Sequence, residues 1–116
     1  MAVYDLAHKL GEQVKKSEEY REYQKLRQEI MEDKDTRKMI TDYQNLNLQI
    51  SSARAWGQEI DEDRQKKLDK LEELVRMSSK ARNYLEAESR FSLMIQDIQK
   101  IIFEDLELGL EEKEDD

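Results

Sequence analysis

Apolar residues return along this chain at intervals of three and four, the spacing that gathers them on one face of an α-helix. Val3, Leu6, Ala7, Leu10 and Val14 predict a first helix on this basis, with Gly11 tolerated inside it. Ser17, followed by Glu18 and Glu19, has the form of an N-cap with carboxylates in the first turn, where they favour the positive end of the helix dipole. The second helix then runs to about Met31 with an apolar side of Tyr20, Tyr23, Leu26 and Ile30. Glu32-Asp33-Lys34-Asp35 is a polar break, and Asp33 or Asp35 caps a third helix. That helix carries Met39, Tyr43, Leu46, Ile50 and Ala53, whose gaps alternate four and three as in a heptad seam.

Trp56-Gly57 closes the third helix, with Gly57 placed for the left-handed conformation that ends helices. Asp61, backed by Glu62 and Asp63, caps a fourth helix presenting Leu68, Leu71, Leu74 and Val75, with Glu62–Lys66 and Asp63–Lys67 spaced for i, i+4 pairing. Ser78-Ser79 marks a break or a bend, and Ser79 is available to cap the next helix. The last helix has the strongest pattern: Tyr84, Ala87, Phe91, Met94, Ile98 and Ile101 again alternate by three and four, and Leu85, Ile95, Ile102 and Leu106 widen the stripe. A face this broad is covered from more than one side. No strand-like alternation and no internal repeat is visible. The fold class expected is all-α: antiparallel helical hairpins or a bundle, with a long C-terminal helix. One domain is expected over 1–108, followed by an acidic, frayed tail over 109–116.

Composition sharpens this picture. Of 116 residues, 41% are charged and only 37% apolar, so the core is thin or shared between chains. A homo-oligomer, dimer or larger, is expected, held through Tyr84, Phe91, Met94, Ile98 and Ile101 of the last helix. The net charge of −8 opposes nucleic acid as the main ligand, because affinity for phosphate backbones comes from clustered Lys and Arg. The least acidic stretch, with Lys15, Lys16, Arg21, Lys25, Arg27, Arg37 and Lys38, leaves a local RNA contact as an alternative. No apolar run approaches the roughly 20 residues that span a bilayer, and the start lacks the basic and apolar regions of a secretory signal. A cytoplasmic protein without membrane contact is expected.

The inventory for chemistry is short. Cysteine is absent, which removes disulfides, thiolate metal sites and thiol catalysis. His8 is the one imidazole; Asp5 lies a turn away, but a single pair is too few ligands for a di-metal bundle, and a solvated surface histidine is the expected role. No Gly-x-Ser-x-Gly elbow and no phosphate-cradling glycine loop occurs. Most carboxylates fall on solvated faces or helix starts. Glu86 and Glu88, beside the last apolar stripe, are expected to form an interface salt bridge with Arg82 or Arg90. Tyr20, Tyr23, Tyr43 and Tyr84 sit at apolar positions and are expected to pack with a wet hydroxyl. No catalytic residue, metal or cofactor is assigned; a composite carboxylate site between subunits is the remaining enzymatic alternative.

The segment Tyr84-Leu85-Glu86-Ala87-Glu88-Ser89-Arg90-Phe91-Ser92, continuing through Asp97-Ile98-Gln99-Lys100-Ile101-Ile102, resembles the C-terminal helix of the YheA subgroup of the bacterial YlbF/YmcA family. Val3-Tyr4-Asp5-Leu6-Ala7-His8 and Ser17-Glu18-Glu19-Tyr20 resemble that subgroup as well. The resemblance runs from about Val3 to Leu106. It implies an all-helical, oligomeric, cytoplasmic protein of Gram-positive bacteria with no established enzymatic activity. Its better-studied members act as non-catalytic partners in a complex that affects competence, biofilm formation, sporulation and RNA processing by RNase Y. Some help to ligate iron–sulfur clusters through cysteines, which this chain does not have. The family's usual Asn-Pro before the last helix is replaced by Met77-Ser78-Ser79-Lys80. The function expected is that of a non-catalytic interaction or regulatory protein, an adaptor in a bacterial regulatory or RNA-processing complex.

Overall fold

The computed structural model describes residues 2–110, which form five helices and, among those residues, no strand. They are α1 (Ala2–Lys16), α2 (Glu18–Glu32), α3 (Lys34–Ala55), α4 (Glu62–Met77) and α5 (Ser79–Phe103). The acidic tail expected from Gly109 lies, from residue 111 onward, outside the described residues.

Three of the four connections are single residues: Ser17, Asp33 and Ser78. Each adopts an extended backbone, ends one helix and caps the next. The Ser17 hydroxyl accepts from the Tyr20 N–H at 3.2 Å and donates to the Val14 carbonyl at 2.6 Å. Asp33 accepts from both the N–H and the hydroxyl of Thr36, at 3.1 and 2.8 Å, and Ser78 accepts from the Ala81 N–H at 3.2 Å. The caps are therefore Asp33 rather than Asp35, and Ser78 rather than Ser79. A short polar side chain satisfies donors that a broken helix leaves open, so the break needs neither Pro nor Gly. Asp61 caps α4 in the same way, through the Arg64 N–H at 3.2 Å. Arg64 of α4 also forms an ion pair with this cap, its Nε 3.8 Å from Asp61 Oδ1.

The fourth connection is the turn after α3. Gly57 has φ +74°, its N–H reaches the Arg54 carbonyl at 3.0 Å, and the Gln58 N–H reaches the Ala53 carbonyl at 2.9 Å. That pair of bonds is a Schellman ending, for which a residue without a Cβ is favoured.

This turn folds α4 back along α3, and α5 then runs antiparallel to α2: Tyr20 meets Phe91, while Tyr23 meets both Phe91 and Tyr84. The two arms of the hairpin, α2–α3 and α4–α5, are broken opposite each other. Lys80 at the start of α5 bonds Asp33 at 3.0 Å, and Ile30, Ile40, Val75 and Ala81 form one buried cluster across the paired breaks. Leu46, Ile50 and Leu68 form a second between α3 and α4, and Tyr43 touches both.

The two breaks are also built alike. In each, an aliphatic residue three positions before the cap is buried (Ile30, Val75), and an arginine four positions after it reaches back to a carbonyl of the preceding helix. Arg37 donates to Met31 O at 3.3 Å, and Arg82 donates to Arg76 O at 2.6 Å. The sequence shows no repeat because the shared geometry needs only a few residue types at a few positions.

Asp33 is pulled down to about 2, first by the Thr36 backbone N–H, then by the Thr36 hydroxyl and Lys80. Its folded value lies below the ordinary 3.8, so the stabilisation is present above about pH 4 and lost as pH falls towards 2. Urea unfolding of wild type and Asp33→Ala should therefore show midpoints that are well separated at pH 6 and converge between pH 4 and 2. A separation that stays constant would remove the carboxylate from this account.

Candidate interaction surface

The arms cover each other only in part. The radius of gyration is 18.9 Å, against about 13 Å for a compact domain of this length. The accessible surface is 10045 Å² for 13.9 kDa, where a compact monomer exposes about 6,700 Å². Most of the exposed large apolar residues lie on α1, on the distal part of α5 and just after it. Amphipathic α1 contributes no buried residue and touches α2 alone, leaving Val3 (74% exposed), Tyr4, Leu6 and Leu10 in solvent. At the other end of the chain Leu93, Ile101 (65% exposed), Ile102, Phe103 and Leu106 are exposed too.

The five residues expected at an oligomer interface divide in two. Tyr84 and Phe91 already have partners inside the chain: Phe91 stacks on Tyr23 with ring centroids 5.3 Å apart and meets Tyr20 at 5.3 Å, and Tyr84 lies 5.9 Å from Tyr23. This aromatic layer joins α2 to α5. Met94 and Ile98 are half-buried, and Ile101 is largely open. The stripe thus runs from an intrachain contact at Tyr84 to an uncovered one at Ile101.

Polar contacts complete the α2–α5 seam. The Tyr84 hydroxyl donates to one oxygen of Glu88 at 2.9 Å, and the Gln44 amide donates to the other at 2.8 Å, tying α5 to α3. Burial, followed by the hydrogen bonds with Tyr23 and Glu88, raises the Tyr84 pKa, so its phenol stays protonated and able to donate. Arg90 reaches Glu22 of α2 at 3.3 Å and Glu86 of its own helix at 3.7 Å. Of the arginines expected for Glu86 and Glu88, Arg90 takes Glu86, while Glu88 bonds a phenol and an amide instead.

Between the start of α2 and the distal half of α5 lies a groove of ≈ 500 Å³. It is lined by Glu18, Glu19 and Glu22 of α2 and by Ala87, Arg90, Leu93, Met94 and Asp97 of α5. The sequence places Glu18 and Glu19 at a helix start but not opposite Asp97, because that juxtaposition depends on α5 crossing back over α2. Trp56, at the hairpin tip and 83% exposed, is another feature whose setting appears only in the structure.

His8 is exposed on α1, and among the described residues no group of three or more His, Cys, Asp and Glu is placed to hold a metal ion. Among them, too, no helix is long and apolar enough to cross a membrane. What the geometry offers is surface for another helix.

The family model described as control of competence regulator ComK, YlbF/YmcA, matches residues 3–107. The chain belongs to the YlbF/YmcA family. Relatives include a UPF0342 protein of Halothermothrix orenii, 40% identical over 98% of this chain and 97% of its own length. Another, from Desulfitobacterium hafniense, is 37% identical over 98% and 95%. Among solved structures, a protein of unknown function (DUF964) from Bacillus stearothermophilus superimposes with a TM-score of 0.73 over 90% of this chain and 91% of that one, at 18% identity. That likeness concerns the fold. The YheA subgroup inferred from the terminal motifs is consistent with the UPF0342 relatives.

Proposed function

We propose that this member of the YlbF/YmcA family is a non-catalytic regulatory adaptor of the bacterial cytoplasm that works as a self-assembling helical module. The observation that carries this reading is the pair of apolar faces, on α1 and the distal part of α5, that the chain itself leaves open. The surface in excess of a compact monomer, roughly 3,300 Å², exceeds the ~800 Å² per partner that a stable interface buries. The family's description as a control of the competence regulator ComK supports a regulatory role exerted through protein contacts. The expected interface positions that remain open to a partner are Met94, Ile98 and Ile101.

Sedimentation equilibrium at micromolar concentration and moderate salt should give at least a dimer. Ile101→Asp should shift the protein to monomer while leaving its helical circular dichroism intact, because the residue is solvated in the single chain and a charge there is penalised only in an interface. Leu48→Asp, an equivalent change at an exposed site on α3, should leave the assembly unchanged. A wild-type protein that sediments as a monomer contradicts the reading.

A further inference from the structure

The α2/α5 groove and the surface of α1 have matching patterns. On α1, Val3, Leu6, Ala7, Leu10 and Val14 fall within one stripe at about 100° per residue. Lys9 flanks that stripe on one side and Lys15 on the other, while His8 and Lys16 fall nearer Asp5 and Glu12 on the far side. It is an apolar face flanked by two lysines. The groove is net acidic: Glu18, Glu19 and Glu22 of α2 and Asp97 of α5 line it together with the apolar Ala87, Leu93 and Met94. Its one cation, Arg90, already bridges Glu22 and Glu86.

A chain's own α1 does not occupy this groove, since α1 leads away from the start of α2 and makes no contact with α5. We infer that α1 of a second copy seats in it, and that the exchange is reciprocal, each chain's N-terminal helix filling the groove of the other. This deepens the self-assembly reading above and rests on it. The arrangement is isologous, as a two-fold dimer requires. It covers the α1 stripe together with Leu93 and Met94 of α5, and sets lysines against carboxylates, where such pairs steer encounter and fix register.

The test uses two charge-reversed full-length variants. One carries Lys9→Glu and Lys15→Glu on α1; the other carries Glu19→Lys and Asp97→Lys in the groove. Alone, each sets like charges against like in both halves of a reciprocal dimer, and its dissociation constant at low salt should rise at least tenfold. Mixed in equal amounts, they form a heterodimer in which both α1–groove contacts are complementary, so association should return to within a few-fold of wild type. Raising the salt to about 1 M should shrink the defect of the single variants by screening. Circular dichroism and urea midpoints establish that each variant folds.

If wild type is dimeric and either variant alone dimerises like wild type, or the mixture stays as dissociated as its components, α1 exchange is wrong while self-assembly stands. Monomeric wild type overturns both. Rescue upon mixing is specific to contact between copies; a chain folding α1 onto its own groove, or a basic helix of another protein, would not produce it.

Discussion

Ile50→Ala is expected to lower the unfolding free energy by about 2–5 kcal/mol, read as a fall in the urea midpoint at unchanged slope. Ile50 is 1% exposed and, with Leu46 and Leu68, holds α3 against α4; Tyr43, Ile60 and Leu71 close around them. The substitution removes three buried carbons and leaves a void that two helices joined by a capped turn cannot collapse to fill. The loss weighs heavily because the core is narrow: its buried apolar residues are Ile30, Ile40, Leu46, Ile50, Leu68, Val75, Ala81 and Ala87. In a domain of ordinary stability, about 5–15 kcal/mol, one such change removes a large share. Leu48→Ala, on the exposed face of the same helix, should change stability by no more than about 0.5 kcal/mol. Similar losses at Ile50 and Leu48 would mean that the α3–α4 contact is not the one described.

Ala81→Leu should destabilise by about 1–3 kcal/mol through the opposite effect, overpacking. Ala81 is 0% exposed and sits in the first turn after the Ser78 cap, where Ile30, Ile40 and Val75 converge. Three added carbons have no space there unless the paired breaks open. Leu is nearly as good a helix former as Ala, so the loss does not come from propensity. In a domain of this size each kcal/mol lowers Tm by roughly 4–8 °C, which thermal unfolding followed by circular dichroism resolves. Because Asp33 and Lys80 bridge the same breaks, the Ala81→Leu and Asp33→Ala effects should be non-additive, as expected of neighbours that share a packing site. A Tm for Ala81→Leu equal to that of wild type would show that the breaks open without penalty and that the four-residue cluster is not close-packed.

The contact between α3 and α5 shows how a half-buried polar group can specify rather than merely stabilise. Glu88 receives the Tyr84 phenol from its own helix and the Gln44 amide from α3, so a slip of α5 along α3 would leave a partly buried carboxylate short of donors. The aromatic contacts among Tyr20, Tyr23, Tyr84 and Phe91 would tolerate such a slip far better, since stacked and tilted ring pairs are both favourable over a range of offsets.

The helices were legible in the residues themselves because what makes and ends a helix is local. Ser17 and Asp61 cap through donors three residues away, Gly57 ends α3 through bonds reaching back three and five residues along the chain, and each apolar stripe is a matter of period. Even the ambiguities, Asp33 against Asp35 and Ser78 against Ser79, were confined to neighbouring positions. What periodicity leaves undetermined is the partner. Tyr84, Phe91 and Ile101 share one uninterrupted pattern, yet Tyr84 and Phe91 are covered by α2 of the same chain and Ile101 is not. The difference arises where the antiparallel arms run out: α2 ends its overlap at Ser17, α1 turns away, and α5 continues alone. The groove has the same origin, since Glu18 and Glu19 are separated from Asp97 by most of the chain and meet only because two capped breaks, Asp33 and Ser78, lie opposite each other and set the path of both arms. Local chemistry in the sequence determined the helices and their ends, and the crossing of distant helices decided which apolar faces became core and which stayed open.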